Sequence, residues 1–152
     1  MEILRDEIVY EGRFITTLRR HFRGTSGEEG VWEMVQRRGS KRIVAIAALT
    51  PERKLILEKS FRVPLNAWVL EFPAGILDVP GESEHEAIKR ELLEETGYAV
   101  EDVRELIAGP FHTGLSDDEL VVYGGCNAKK VQEPKLGNDE EIEVLTVPIA
   151  EL

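Results

Sequence analysis

Three glutamates in the middle of the chain have the spacing of a metal site. Glu91, Glu94 and Glu95 stand at positions i, i+3 and i+4, a spacing that brings side chains together on one face of a helix. Neighbouring like charges destabilise an isolated helix, so a compensating cation is expected. Mg²⁺ and Mn²⁺ prefer carboxylate oxygens and keep water ligands for a phosphorylated substrate. The alternative is a solvated acidic face whose charges are balanced locally by Lys89 and Arg90.

These glutamates lie on the clearest helix that the sequence predicts. Ser83 followed by Glu86 is a capping box, in which the hydroxyl and the carboxylate satisfy free N–H groups of the first turn. Residues 84–96 contain no Gly or Pro, and Gly97 supplies the left-handed residue that ends a helix. At about 100° per residue, the apolar residues share one flank and the acidic residues the adjacent arc. The helix should therefore bury its apolar flank and hold its carboxylates together.

Short β-rich runs surround this helix and predict an α/β (α+β) fold. The apolar run 42–49 has the composition of a strand buried on both faces at the centre of a sheet. A hairpin is predicted where the Gly-containing turn 24–30 separates residues 19–23 from residues 31–35. The remaining predicted strands cover residues 2–10, 14–18, 54–61, 68–72, 102–108, 119–124 and 142–147.

Composition limits the classes of function. The chain has 152 residues, of which 42% are hydrophobic and 32% charged, values typical of a globular protein rather than a disordered or membrane-spanning chain. Its net charge of -10 disfavours bulk binding to nucleic acid or to an anionic membrane. Cys126 is the one cysteine, so neither an intramolecular disulfide nor a cysteine-based zinc site can form. With no signal peptide and no apolar run of ~20 residues, the sequence predicts one soluble cytoplasmic domain over residues 1–152.

The segment 75–98 resembles the Nudix box. That box consists of Gly, five residues, Glu, seven residues, then Arg-Glu-aliphatic-x-Glu-Glu-x-Gly and an aliphatic residue. Gly75, Glu82 and the run Arg90–Gly97 occupy its fixed positions. Two positions depart from the pattern, because six residues separate Gly75 from Glu82 and because Tyr98 replaces the final aliphatic residue. The longer loop leaves the metal geometry open, but not the class of site.

The resemblance implies a Nudix-type α/β/α sandwich with a mixed sheet, and hydrolysis of a nucleoside diphosphate linked to another group. By position, Glu91 and Glu95 match the family's principal Mg²⁺ ligands. Glu94 matches a further ligand with a catalytic part, and Ala74 the residue whose backbone carbonyl completes the coordination. A bound Mg²⁺ or Mn²⁺ neutralises phosphate oxygens and acidifies a water. The loop-bracing pair of the family corresponds to Glu82 and Arg90, and its two structural glycines to Gly75 and Gly97.

Segments outside the box resemble the ADP-ribose (ADP-sugar) pyrophosphatase branch of the family. The resemblance rests on Glu71–Gly75 before the box, Phe61–Pro64 upstream and Gly109–Asp117 downstream. His112–Gly114 departs from the branch, where Ser-Pro-Gly or Asp-Pro-Gly is common. Since this loop helps to shape the pocket, the departure affects the expected sugar preference more than the expected reaction.

Four residues match branch positions that contact substrate. Arg62 corresponds to an arginine on the diphosphate or ribose, and its planar guanidinium suits phosphate oxygens. Trp32 matches an aromatic residue that stacks on adenine, and Phe14 matches a second one, although aromatic residues on strands commonly belong to the core. Arg37 aligns with another substrate-contacting arginine. The alternative for Arg62 is a surface arginine at the end of a strand.

The acidic loop 137–143 supplies the candidate catalytic carboxylates. Its match to the branch makes Glu140 the general base or water-positioning residue, with Glu141 as the next candidate. A carboxylate beside a metal-bound water needs no large pKa shift, because the metal has already acidified that water. The alternative is a solvated acidic loop.

The branch also implies a homodimer in which N-terminal strands, here residues 1–38, help to build the partner's adenine pocket. Relatives continue into a C-terminal helix, whereas this sequence stops at residues 148–152. That helix is therefore expected to be absent, or replaced through dimer contacts.

The leading hypothesis is Mg²⁺-dependent hydrolysis of ADP-ribose to AMP and ribose 5-phosphate by a metal-activated water. One alternative is hydrolysis of another nucleoside diphosphate sugar or a dinucleotide, such as GDP-mannose or NADH. A second alternative is a Nudix-fold sensor that binds ADP-ribose without cleaving it. The intact set of Glu91, Glu94 and Glu95 argues against the sensor, because pure binding needs no cation-dense hydrolytic face.

Overall fold

The computed structural model describes residues 1–137 and 140–151. These residues form two compact units, the first made of Met1–Arg42 and Gly109–Leu120, the second of Ile43–Ala108 and Val121–Leu152. The single domain expected over residues 1–152 stays a prediction. Of the acidic loop 137–143, residues 138 and 139 lie outside the described ranges.

A three-stranded antiparallel sheet dominates the first unit. Its strands are β1 (Glu2–Glu11), β2 (Ile15–Arg23) and β3 (Glu29–Arg37), in the order β1-β2-β3. The predicted hairpin is confirmed, and Gly27 in its turn has a φ of 89°, a conformation that favours glycine. Leu18 and Met34 face each other across β2 and β3, and both are buried. The predicted segments 14–18 and 19–23 belong to one continuous strand rather than two.

The remaining strands form three further sheets. They are β4 (Arg42–Ala48), β5 (Lys54–Arg62), β6 (Ala67–Glu71), β7 (Ala74–Ile76), β8 (Tyr98–Ala99), β9 (Val103–Pro110), β10 (Glu119–Gly125), β11 (Lys129–Lys130) and β12 (Ile142–Pro148). The sheet orders are β7-β4-β10-β9, β12-β5-β6 and β11-β8. Strand β5 pairs antiparallel with both neighbours, so that Leu57 lies opposite Leu145 and Glu58 opposite Glu71. Short 3₁₀ turns cover Val63–Leu65 and Ile149–Glu151.

The helix α1 (Glu84–Thr96) has the predicted bounds and is held by its apolar flank. Ile88 and Leu92 are fully buried in the core of the second unit, together with Ile46 on β4 and Ile56 on β5. Burial of each such side chain stabilises the fold by about 1.5–3 kcal/mol, which fixes the rotation of the helix about its axis. No helix in the described ranges combines the length and the apolar character needed to cross a membrane.

The predicted mixed α/β class is confirmed, since the described residues consist mostly of strands together with one α-helix. The sequence pattern does not predict β7, β8 and β11. These strands contain two or three residues each, too few to show an alternating pattern.

Candidate active site

The two ends of α1 are fixed by the residues that predict them. Ser83 Oγ accepts a hydrogen bond from the Glu86 N–H at 3.3 Å, and Glu86 Oε2 accepts one from the Ser83 N–H at 2.9 Å. Gly97 ends the helix with a φ of 76°, and a Cβ at this position would collide with the Gln132 carbonyl. With both ends and the buried flank fixed, the acidic face of α1 has one orientation.

The short strand β7 holds two of the box glutamates. The Ala74 N–H donates to Glu95 Oε2 at 3.1 Å. A Cβ on Gly75 would overlap the Glu91 carboxylate, so glycine is required for that side chain to lie against the backbone. These contacts bring Ala74, Gly75, Glu91 and Glu95 together. The expected use of the Ala74 carbonyl as a ligand stays a prediction.

Arg90 contacts three carboxylates of the box. Its Nε and Nη2 donate to the two carboxylate oxygens of Glu82 at 2.9 and 3.0 Å, so the pair is bidentate. Its Nη1 lies 3.0 Å from Glu91 Oε1 and 3.1 Å from Glu94 Oε2. These carboxylates raise the pKa of Arg90, with the Glu82 hydrogen bonds as the largest cause. The longer loop before Glu82 therefore leaves the contact between Glu82 and Arg90 intact.

Glu95 forms a buried pair with Glu58, a residue that is not among the site residues predicted from the sequence. Glu58 on β5 is 1% exposed and Glu95 on α1 is 8% exposed. Burial raises the pKa of both carboxyl groups, and the charge of Glu58 raises the pKa of Glu95 further. The two carboxyl groups lie close enough to shift each other's pKa, and Glu58 Oε1 is buried without a hydrogen-bond partner among the described residues. The sequence gives no clear signal for Glu58, because Lys54 and Ser60 on the face that carries Ile56 are polar as well.

Arg62, the predicted phosphate ligand, lies at the end of β5 on the same sheet. Its Nε donates to Glu71 Oε1 at 2.6 Å, and the Arg62 side chain is 50% exposed. The charges of Arg62, Glu71 and Glu140 all act on Glu58, so these four residues share one neighbourhood. An exposed guanidinium that a carboxylate holds in place remains able to bind phosphate oxygens.

The two candidate residues of the acidic loop make different contacts. Glu140 Oε2 accepts a hydrogen bond from the Gly137 N–H at 2.6 Å. Glu141 contributes its backbone carbonyl, which accepts a hydrogen bond from the Phe61 N–H at 3.1 Å. Both side chains are exposed. Of the two candidates, Glu140 is the one whose negative charge raises the pKa of Glu58.

The donor set of the second unit fits a hard divalent cation. Its donors are carboxylate oxygens, the ligands that Mg²⁺ and Mn²⁺ prefer. Ionising both carboxyl groups of the buried Glu58–Glu95 pair costs several kcal/mol unless a cation balances their charge. In the part of the chain that the structure describes, no three His, Cys, Asp or Glu side chains already converge as a complete ligand set. Arg90 contacts Glu91 and Glu94, so an ion bound by these carboxylates would share them with Arg90.

The predicted base-binding residues lie in the first unit. Trp32 on β3 is 54% exposed, and its indole Nε1 donates to the Gly114 carbonyl at 3.0 Å. This bond fixes the ring while part of its surface stays open. Phe14 is 70% exposed. The guanidinium carbon of Arg13 lies over the Phe14 ring, 4.9 Å from the centroid of that ring. Arg37 Nε lies 3.4 Å from the buried Asp118 Oδ2, so Arg37 has a partner within this unit.

Comparison with known proteins identifies the family. Residues 39–152 match the model of the NUDIX domain. The ADP-ribose pyrophosphatase of Bacillus subtilis is 32% identical over 144 residues, which cover 94% of this chain and 76% of that protein. The ADP-sugar pyrophosphatase of Mus musculus is 32% identical over 159 residues, which cover 96% of this chain and 72% of that protein.

A solved structure agrees with the sequence relatives. The crystal structure of an ADP compounds hydrolase matches with a TM-score of 0.82 at 26% identity, covering 97% of this chain and 78% of that chain. The predictions of the family and of an enzyme are thereby confirmed. Because the domain match, the relatives and the fold all agree, the chain belongs to the Nudix hydrolase family.

Proposed function

We propose that this protein hydrolyses the diphosphate bond of ADP-ribose, giving AMP and ribose 5-phosphate, and that it uses Mg²⁺ or Mn²⁺. The observation that carries the proposal is the buried Glu95 carboxylate, which the Ala74 amide holds at 3.1 Å next to Glu91. A bound divalent ion neutralises phosphate oxygens and lowers the pKa of a bound water. Glu91, Glu95 and Glu94, with the Ala74 carbonyl, are the groups that would hold it.

The other residues of the second unit have roles that follow from their positions. Arg62, held by Glu71, binds diphosphate oxygens through its exposed N–H groups. Glu140, or Glu141 in its place, accepts the proton of the attacking water. Loops of this kind often complete their geometry when substrate binds. Glu82 acts at a distance, because it keeps Arg90 on the acidic face of α1.

The choice of ADP-ribose rests on relatives that are named for ADP-ribose and ADP-sugars and on an exposed, fixed Trp32 ring. We assign stacking on the base to Trp32 and Phe14 and a substrate contact to Arg37. Stacking alone does not separate adenine from guanine, since every base has a π-face. The same proposal includes a homodimer built with residues 1–38, which sedimentation of the purified protein would measure.

A turnover panel tests the proposal. ADP-ribose, ADP-glucose, GDP-mannose, NADH and diadenosine polyphosphates are incubated with Mg²⁺ or Mn²⁺ in ¹⁸O-water, and the products are identified by mass. We expect preferred cleavage of ADP-ribose, with the label in AMP or in ribose phosphate showing which phosphorus the water attacks. A preference for GDP-mannose or NADH would replace the substrate within the same enzyme class. Binding of ADP-ribose with no turnover of any compound would instead indicate a sensor.

A further inference from the structure

Glu58 is a buried acidic residue that lies outside the Nudix box. It sits in the middle of β5, opposite Glu71 on β6, and is 1% exposed. Ile56 and Ser60 on the same face of β5 are also buried. Because side chains alternate along a strand, the register of β5 leaves Glu58 facing into the second unit rather than into solvent.

The surroundings of Glu58 are dominated by negative charge. Glu95, Glu71 and Glu140 all act on it electrostatically or by hydrogen bonding. Arg62 is the cationic side chain that acts on Glu58, and its Nε is already bonded to Glu71 at 2.6 Å. A buried carboxylate among carboxylates requires a proton or a cation.

One oxygen of Glu58 is left without a hydrogen bond. Its Oε1 is buried and has no partner among the described residues. Buried oxygens without a hydrogen-bond partner are rare in folded proteins, and one explanation for such an oxygen is that it binds an ion. Here the oxygen belongs to a side chain near enough to Glu95, one of the residues that would hold the divalent ion, for the two carboxyl groups to influence each other.

We propose that Glu58 is an additional carboxylate of the divalent metal centre, supplied by the sheet rather than by the box, and that it binds the same ion as Glu95. The expected ion is a hard divalent cation such as Mg²⁺ or Mn²⁺, because the donors are all oxygens. This inference rests on the proposed function to the extent that both need a metal at Glu95. It deepens that function by assigning a ligand from β5.

Binding of Mn²⁺ alone, followed by electron paramagnetic resonance, tests Glu58 without any substrate. In Glu58→Gln, which keeps the shape of the side chain but removes its charge, we expect the Kd for Mn²⁺ to rise roughly 10–100-fold. Glu143→Gln is the matched control, because Glu143 is an exposed carboxylate on β12 that pairs with Lys59 at 3.1 Å. The control should bind Mn²⁺ with the wild-type Kd.

Thermal unfolding gives a second readout and a second variant. Glu58→Leu fills the buried position with an apolar side chain, so the metal-free variant should fold and melt at or above the wild-type temperature. Addition of Mn²⁺ should raise the melting temperature of wild type and Glu143→Gln, but leave that of Glu58→Leu nearly unchanged. A wild-type Mn²⁺ affinity in either folded Glu58 variant would overturn the proposal.

The two proposals fail in different ways. If wild type binds Mn²⁺ through Glu58 but hydrolyses no nucleotide, the proposed function is wrong and the assignment of Glu58 stands. If wild type hydrolyses ADP-ribose while Glu58→Gln binds Mn²⁺ with unchanged affinity, the enzyme stands and the assignment of Glu58 is wrong. Absence of Mn²⁺ binding in wild type would overturn the metal centre, and Glu58 with it.

Discussion

Arg90 Nη1 lies 3.0 Å from Glu91 Oε1, so the box arginine and a predicted metal ligand form an ion pair. The same guanidinium binds Glu82 with two further N–H groups. Arg90 therefore compensates the acidic face of α1, and a divalent ion that uses Glu91 must share that carboxylate with it. Glu95, which accepts a hydrogen bond from the Ala74 N–H, is not among the carboxylates that Arg90 contacts.

Removal of the Arg90 guanidinium should weaken the metal-free fold. In Arg90→Met, both oxygens of the nearly buried Glu82 lose their partners, which costs about 1–3 kcal/mol of unfolding free energy. Denaturant unfolding in the presence of a chelator measures this loss. Glu82→Gln and the double variant complete a mutant cycle. Additive losses in the cycle would show that the two side chains do not support each other.

Removal of the Glu95 charge should abolish turnover and leave the fold intact. A divalent ion supplies several kcal/mol of transition-state stabilisation, and about 1.4 kcal/mol corresponds to a tenfold rate. Glu95→Gln should therefore lower kcat roughly 100-fold or more, while circular dichroism stays that of wild type. Glu105→Gln, an exposed carboxylate on β9, serves as the control. Activity of Glu95→Gln near the wild-type level would remove Glu95 from the metal site.

The sequence predicts α1 well because the signals for it are local. Ser83, Glu86 and Gly97 act within a few residues of themselves, and the structure places all three as helix caps. The Nudix box is likewise a continuous motif, so Glu91 and Glu95 can be located without knowledge of the fold. Most of the longer strands are predicted for the same reason, since alternation is visible within one segment.

The sequence does not predict the role of Glu58 or the ion pair between Arg62 and Glu71, because both depend on tertiary structure. The pattern of residues 54–61 predicts a strand, but it does not show which neighbour the strand has or which face meets α1. Only the pairing of β5 with β6 brings Glu58 opposite Glu71 and Arg62 within reach of that carboxylate. Since Lys54 and Ser60 on the same face are polar as well, Glu58 does not stand out in the sequence.

Metal-free stability should fall as pH rises above about 5. Burial raises the pKa of Glu58 from 4.5 to about 7 and that of Glu95 from 4.5 to about 10. Between pH 4.5 and these raised pKa values, the folded state therefore binds more protons than the unfolded state. Stability is then fully present below pH 4.5 and is lost as pH rises through the folded pKa values, by up to about 1.4 kcal/mol per pH unit for each proton. Denaturant unfolding from pH 5 to 8 with a chelator measures the slope.

Two additions check the origin of this slope. Saturating Mn²⁺ should flatten it, because the ion favours the ionised carboxylates. Glu95→Gln should flatten it without metal, because the coupled pair then contains one ionisable group. An equal slope in wild type and Glu95→Gln would assign the pH dependence to other groups.

Gly75→Ala should impair catalysis by displacing Glu91. The added Cβ would overlap the Glu91 carboxylate, so the side chain has to leave the position it occupies against β7. A displacement of about 1 Å at a catalytic group costs on the order of 10²-fold in rate, and we expect kcat/KM to fall by that order. Gly109→Ala is the matched control, because a Cβ there meets nothing within 4 Å. Equal activity of the two variants would show that Glu91 is not held by this contact.

Trp32→Ala should raise KM more than it lowers kcat. Stacking of a base on an aromatic ring contributes about 1–3 kcal/mol, equivalent to about 5–150-fold in affinity, and acts on the bound substrate as much as on the transition state. Steady-state kinetics with ADP-ribose measures both parameters. Trp68→Ala is the control, because Trp68 on β6 is also a half-exposed tryptophan, 45% exposed against 54% for Trp32.

Trp32→Phe separates the ring of Trp32 from its hydrogen bond. Phenylalanine keeps an aromatic face but cannot donate to the Gly114 carbonyl, which the Trp32 indole reaches at 3.0 Å. If the ring stacks on the base and the bond orients it, KM should rise less in Trp32→Phe than in Trp32→Ala, and kcat should change little in both. An unchanged KM in Trp32→Ala, or an equal rise in Trp68→Ala, would remove Trp32 from the base site, because a stacking platform must weaken substrate binding when its ring is lost.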